Sequence, residues 1–177
     1  EGGAIICHDE QMKARIDKLK NFGIVDEVTI TDAGINGKMS EVNAAMGLVN
    51  FDSLDKYVDV NKRNYDAYKS QLATIGGISL MEYAEENRNN YQYVVVEVSD
   101  NYHLSRDELV DKLIANNILA RRYFWPGCHK MEPYRSLYPN VGSLLPVTED
   151  IASRVVILPT GSQIDEDGIE RVVELFR

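Results

Sequence analysis

The stretch Gly34-Ile35-Asn36-Gly37-Lys38-Met39-Ser40-Glu41 separates two textures of sequence. Its first half is dense in Gly and Asn, the residues that turns use. Its end is a helix start. Ser40 is a good N-cap, because its hydroxyl accepts a backbone N–H that the first helical turn leaves unpaired. From Glu41 to Leu72 there is no proline. Apolar residues recur there at mostly helical spacings, at Val42, Ala45, Met46, Val49, Leu54, Tyr57, Val58, Tyr65, Tyr68 and Leu72. Asn50, Asp52 and Ser53 interrupt the stripe. One long helix, or two joined near Asp52, would reach roughly 45 Å at about 1.5 Å per residue, the length of an element that bridges two lobes. Gly76-Gly77 stops it.

Upstream, Gly3 to Cys7 is predicted to be a short buried strand. Asp9 then caps a helix with Met12, Ile16 and Leu19 on one stripe, and Gly23 ends it. Val28-Thr29-Ile30 is a short strand or an extended loop. The opening Glu1-Gly2-Gly3 runs straight into the predicted strand, as in a chain that starts inside a fold. Loss of an initiator Met or of a tag would look the same.

Downstream, the pattern reads β-β-α-β-loop-β-α. Ile78 to Leu80 is a strand, and Tyr91 to Val98 is the clearest strand in the chain, rich in β-branched and aromatic residues. Ser105-Arg106-Asp107-Glu108 is a capping box, opening a helix with Leu109, Leu113 and Ile114 on one face. Ile118 to Tyr123 reads as a strand. Pro126, Pro133, Pro139 and Pro146 punctuate an irregular aromatic stretch. Val155 to Leu158 is a strand closed by Pro159, and Asp165 caps a last helix with Ile169, Val172, Val173 and Phe176 inward.

Composition narrows the function classes. The 177 residues suffice for one domain or for a piece of something larger. With 28 acidic and 19 basic residues the formal charge is -9, which disfavours nucleic acid as a partner. No apolar run approaches the roughly 20 residues of a membrane span, and no secretory pattern opens the chain. Cys7 and Cys128 form neither a metal-type spacing nor a disulfide framework. A soluble, reducing, cytoplasmic setting is the expectation.

Two constellations carry chemistry. The Gly/Asn turn, Lys38 and a helix N-terminus bring backbone N–H groups, an ammonium and a positive dipole end toward one spot, which favours an anion such as a phosphate. The glycine spacing is too short for a nucleotide-binding P-loop, and Met39 stands where Ser or Thr would follow the lysine. The same residues also make an ordinary turn and cap. The second constellation is Arg121-Arg122-Tyr123-Phe124-Trp125-Pro126-Gly127-Cys128-His129. Its arginines and aromatics suit a phosphate beside a base or sugar, or else an edge strand with solvated arginines. Cys128-His129 lacks the further ligands a metal needs. The paired acidic residues fall at helix starts and polar loops, and neither a Ser-nucleophile elbow nor a zinc-protease motif is present.

These segments together resemble a known family. Glu1-Gly2-Gly3-Ala4-Ile5-Ile6, Asn21-Phe22-Gly23, Gly34 to Glu41, Ala44-Ala45-Met46-Gly47-Leu48, Arg121 to Pro126 and Val156-Ile157-Leu158-Pro159 are similar, in order, to the DegT-type nucleotide-sugar aminotransferases. The resemblance implies an α/β chain, the C-terminal part of a pyridoxal-phosphate-dependent transferase of the aspartate aminotransferase fold, fold type I. Residues 1–40 would be the end of the large cofactor-binding domain, 41–75 a bridging helical segment, and 76–177 the small α/β domain. It implies a cytoplasmic homodimer that moves an amino group, usually from glutamate, to a keto sugar on a nucleoside diphosphate, as in cell-surface polysaccharide biosynthesis. Sugar, nucleotide and aminated carbon stay open.

By the same resemblance, Asn36 matches the residue that reaches the cofactor phosphate of the other subunit, and Lys38 matches a contact to the substrate diphosphate. Arg122, Tyr123 and His129 border the sugar-nucleotide pocket. In the family the Glu-Gly-Gly segment closely follows the Schiff-base lysine. No lysine here stands in that context, so no catalytic residue is assigned, and the chain alone is expected to be inactive and not to retain pyridoxal phosphate. The alternative is a non-catalytic remnant that acts as a dimerising or binding module.

Overall fold

A computed structural model describes residues 2–177. The chain forms two compact units, Glu1–Leu54 and Asp55–Arg177. Among the described residues, no helix is long and apolar enough to cross a membrane.

In the first unit, helix α1 spans Glu10–Leu19, and the Asp9 carboxylate accepts the Gln11 N–H at 2.9 Å, as a cap should. Lys13 on α1 and Lys20 at its C-cap both hold Asp17, at 2.5 and 2.6 Å. Strand β1, Ile24–Asp26, pairs antiparallel with β2, Thr29–Ile30. The Asp26 carboxylate accepts the Val28 N–H at 3.0 Å and closes the turn between them. The predicted strand at residues 3–7 is absent: the segment is irregular, with Ile5 and Ile6 exposed. Apolar texture alone does not make a strand. A ladder partner is also required, and no described strand pairs with this segment.

Helix α2, Glu41–Asp52, starts as the sequence predicts, with Ser40 Oγ accepting the Asn43 N–H at 3.2 Å. It buries no residue: Val42, Met46, Leu48, Val49 and Phe51 are all exposed. It ends at Ser53, so the predicted helical stretch is two helices and not one.

In the second unit, α3 spans Leu54–Leu72. Strands β3, Ile78–Leu80, β4, Val94–Val98, and β5, Val155–Leu158, form an antiparallel sheet in the order β3-β4-β5. The register sets Val96 opposite both Leu80 and Val156. Val94, Val96 and Val98 point to one face and are buried, while Val95 and Glu97 face the other way. Three helices cover the buried face. They are α3, through Tyr68 and Leu72; α4, Arg106–Ala115, through Leu109, Val110 and Leu113; and α7, Glu166–Glu174, through Ile169, Val172 and Val173. Each fully buried aliphatic side chain contributes about 1.5–3 kcal/mol. The loop after β5 is tied to α3, where buried Asn64 donates to Gly161 O at 3.0 Å and Tyr68 Oη donates to Pro159 O at 3.0 Å.

Three local expectations are corrected. The capping box of α4 forms in full, but Ile114 is exposed and Val110 takes its place in the core. At 100° per residue, 109, 110 and 113 make the tighter stripe. Ile118 to Tyr123 is not a strand. Ile118 and Ala120 fill the core, and the only ladder contact of the segment is an isolated bridge between Arg121 and Ile157. The proline-punctuated stretch contains short helical turns at Cys128–Lys130 and Val141–Leu144, α5 at Tyr134–Leu137 and α6 at Pro146–Arg154. Pro146 opens α6, where its missing N–H costs nothing. None of α6 is buried, so its stripe carried little signal.

Two outcomes follow from this packing. Leu113→Ala should destabilise the second unit by about 2–5 kcal/mol in denaturant unfolding, whereas Val42→Ala on exposed α2 should stay within about 0.5 kcal/mol. Hydrogen bonds from Lys13 and then Lys20 hold the Asp17 carboxyl down to about 2 from an ordinary 3.8. A depressed carboxylate stabilises fully above its unfolded value, and that contribution disappears as pH falls through the folded one. The α1 pairing should therefore persist at pH 4 and be lost toward pH 2. Carboxyl-detected NMR of Asp17 should show the low midpoint, moved upward by Lys13→Ala.

Candidate functional site

The sequence motif at residues 34–40 is built on the end of α1. A helix end leaves carbonyls without partners. Here Leu19 O accepts Ile35 N–H, and Lys20 O accepts Gly37 N–H, both at 2.8 Å. Asn21 and Asn36 form a bridge alongside. The approach is tight enough to dictate two glycines. A Cβ on Gly34 would lie 2.4 Å from Gly23 N, and one on Gly23, at φ 77°, would lie 1.8 Å from Asp32 O.

This lacing places Lys38. Its ammonium donates to Asn21 Oδ1 at 3.1 Å and lies 4.3 Å from the centre of the Phe22 ring. It lines a hollow of about 610 Å³ with Lys13, Lys20, Asp17, Cys7 and Met39. Asp17 is engaged by Lys13 and Lys20. Lys38 forms no ion pair among the described residues, which leaves the hollow cationic. Asn36 is exposed, its amide makes no hydrogen bond to another described residue, and it stands outside the lining of the hollow. An ammonium and a free amide beside a capped helix start are donors of the type a phosphate takes, so these residues fit the phosphate of pyridoxal phosphate or a diphosphate.

The second unit disperses the other three candidates. Arg122 is committed to α4: Nε donates to Asp107 at 2.6 Å and Nη2 to Asp111 at 2.8 Å. Burial works to raise the Asp107 carboxyl, but hydrogen bonds from Arg122 and Arg106 outweigh it and the net shift is downward. Tyr123 accepts a hydrogen bond from Arg121 at 2.6 Å and packs edge-on to Tyr93, with ring centres 6.4 Å apart. With Met81, Phe124, Ile151 and Ile157 it lines an apolar hollow of about 270 Å³ on the outer face of the sheet. His129 belongs to a separate group, its Nε2 2.7 Å from Glu149 Oε1 on α6, while Lys130 pairs with Glu149 Oε2. Hydrogen bonds from Lys130 and His129 lower the Glu149 carboxyl.

Sequence reading missed the residues that link these groups. Buried Arg106 donates to Ala152 O and Val155 O at 2.8 and 3.0 Å, pairs with Asp107, and stacks 4.9 Å from the Trp125 ring, which Lys130 also approaches. A ring, two arginines, a lysine and three carboxylates thereby join α4 to residues 121–130 and α6. The capping box flags the start of α4 but says nothing of Arg106, and Glu149 stands in a stretch that read as loop. Among the described residues, no three His, Cys, Asp or Glu side chains gather as a metal site would need.

Comparison with known proteins gives these geometries a context. A family model described as the DegT/DnrJ/EryC1/StrS aminotransferase family matches residues 1–177. The chain is 39% identical over 176 residues to dTDP-4-amino-4,6-dideoxy-D-glucose transaminase of Escherichia coli, covering 99% of this chain and 47% of that protein. The enzyme of the same name from Shigella dysenteriae is 41% identical, with 100% and 48% covered. The crystal structure of DesI with its TDP-sugar product superposes with a TM-score of 0.84 at 40% identity, over 96% of this chain and 43% of that one. The chain thus spans about half the length of the relatives it matches. Its α/β fold is that of the C-terminal part of a pyridoxal-phosphate-dependent transferase of fold type I. From its first residue to its last, the chain belongs to the DegT/DnrJ/EryC1/StrS aminotransferase family.

Proposed function

We propose that this chain is the C-terminal part of a nucleotide-sugar transaminase that works as a cytoplasmic homodimer. The observation that carries the proposal is the 39–41% identity, over the whole chain, to two enzymes named for dTDP-4-amino-4,6-dideoxy-D-glucose. The substrate is accordingly a thymidine-diphosphate-linked 4-keto-6-deoxy sugar, aminated at carbon 4, with glutamate as the usual amino donor. Residues 1–40 close the large domain, 41–75 bridge, and 76–177 form the small domain.

The bound pyridoxal phosphate supplies the electron sink that lets nitrogen pass between donor and sugar. The residues of this chain bind and orient. Asn36 gives its free amide to the cofactor phosphate of the other subunit. Lys38 faces the substrate diphosphate, held ready by Asn21 and the Phe22 ring. The aromatic wall of Tyr93, Tyr123 and Phe124 gives the sugar nucleotide an apolar surface that excludes water. Arg122 keeps that wall in place through Asp107 and Asp111, because its donors are already engaged. The exposed apolar residues of α2 and of residues 5–6 support a surface that is covered in the assembled enzyme. No lysine of the 177 residues stands in a Schiff-base context, so this stretch alone does not transaminate.

Two measurements test this reading. In the complete enzyme, Lys38→Ala should weaken binding of thymidine diphosphate about tenfold or more, the worth of one charge-assisted contact; unchanged affinity would remove Lys38 from the substrate site. Borohydride treatment of the 177-residue chain with pyridoxal phosphate should leave its intact mass near 20.0 kDa. One stable, stoichiometric cofactor adduct would overturn the inactivity of the segment.

A further inference from the structure

The ladder between β3 and β4 gives way to side chains at one end. Its register pairs Ile78 with Val98, Ser79 with Glu97 and Leu80 with Val96. One step on, Met81 N–H still donates to Val95 O at 2.9 Å. Hydrogen-bonded pairs alternate along an antiparallel ladder, so the next would set Tyr83 against Tyr93 and exchange both backbone bonds. One side-chain hydroxyl makes both bonds instead. Tyr83 Oη accepts the Tyr93 N–H at 3.1 Å and donates to Tyr93 O at 2.9 Å. A hydroxyl carries a donor and acceptor lone pairs, so a single group satisfies the pair.

Tyr83 is itself held from α3. The rings of Tyr65, Tyr83 and Tyr91 meet in a triangle, with centres 5.2, 5.4 and 4.8 Å apart. Tyr65 is the fixed corner: it is only 4% exposed, stands on α3, and donates to Met81 O at 3.1 Å. Tyr91 holds φ 49°, a backbone state that a bulky residue takes only where its surroundings impose it. Elsewhere on α3, Lys69 pairs with Glu82 at 2.7 Å and Asn61 donates to Asn90 O at 3.2 Å. Residues 81–93 are thus tied to α3. Both ends of that excursion, Met81 and Tyr93, line the apolar hollow beside Tyr123 and Phe124.

We propose that Tyr83 is a positioning residue: its hydroxyl fixes the backbone of Tyr93, and with it the ring that Tyr93 sets edge-on to Tyr123 in the aromatic wall. Tyr83 lies outside the lining of the hollow and acts through Tyr93. Strand β4 begins only at Val94, so without the hydroxyl both backbone groups of Tyr93 turn to water and the ring leaves its place. This inference rests on the reading of that hollow as a wall of the sugar-nucleotide site, and adds a residue standing behind the wall.

The complete enzyme, loaded with pyridoxal phosphate, provides the test. Hydrogen exchange should find the Tyr93 amide protected, and Tyr83→Phe should speed its exchange about tenfold while the Val96 amide stays as it was. An unprotected Tyr93 amide in the unchanged enzyme overturns the proposal without any variant having to fold. Kinetics with glutamate and a thymidine diphosphate 4-keto-6-deoxy sugar test the consequence. Tyr83→Phe keeps the three rings and removes both hydrogen bonds. It should raise KM for the sugar nucleotide roughly three- to tenfold, the worth of one hydrogen bond, with kcat and the glutamate half-reaction unchanged. Tyr93→Ala should raise KM at least as far, and the double variant no further, because residues that act through one another are not additive. Additive losses, a normal KM in either single variant, or a parallel fall in kcat and the half-reaction overturn the positioning role and leave the functional reading standing. An unchanged enzyme that puts no nitrogen on the sugar overturns the functional reading, and this proposal with it.

Discussion

Strand β4 has to satisfy a ladder on each side and bury alternate valines at the same time, and the second unit is arranged around that demand. Its pairing with β3 and β5 leaves no free edge on the central strand. Val94, Val96 and Val98 then need an apolar cover, which α3, α4 and α7 provide. Packing those three helices fixes β5, and β5 seats Arg121 through its bridge to Ile157. Between Arg121 and β5 the chain has no ladder. It is held instead by charge: Arg122 on two carboxylates of α4, Trp125 under Arg106, and His129 with Lys130 on Glu149. Exposed ion pairs contribute little one by one. Here buried Arg106 anchors the series by capping two carbonyls where α6 meets β5, so the whole segment is positioned from one rigid point.

The first unit answers a different constraint. The last carbonyls of α1 need donors, and the strand-like residues Ile35 and Gly37 supply them. That pairing lets the backbone come so close that Gly23 and Gly34 have no space for a side chain. The cost of two glycines is repaid in position: Lys38 emerges beside Asn21 and Phe22, facing a cationic hollow. The unit otherwise displays its apolar residues, on α2 and at residues 5 and 6.

Where the sequence held a local physical signal, it could be read. Ser40, Ser105 and Asp165 cap the helices they precede in sequence, because capping depends on residues only two or three apart. The β-branched run ending at Val98 announced a strand, which forms over Val94–Val98 and leaves residues 91–93 of the expected Tyr91–Val98 outside it. The signals failed where the outcome depends on distant partners. Residues 3–7 have strand texture but no ladder. Ile118 and Ala120 face the core without forming a strand, because only Arg121 finds a partner. Pro146 looked like punctuation and is a helix start. At the candidate site, Lys38 was singled out because turn chemistry and a helix cap lie beside it, while Asn36 received its role through the family resemblance. The commitment of Arg122 to α4, and the roles of Arg106 and Glu149, were not visible, since they join residues 11 to 49 positions apart.

The central claim is that these residues serve amino transfer to a nucleotide-linked sugar. The most direct measurement is product mass after the complete enzyme, loaded with pyridoxal phosphate, meets glutamate and a thymidine diphosphate 4-keto-6-deoxy sugar. The account predicts a nucleotide-linked 4-amino sugar formed in step with 2-oxoglutarate. A cofactor-loaded enzyme that consumes glutamate yet places no nitrogen on any nucleotide-linked keto sugar would contradict it.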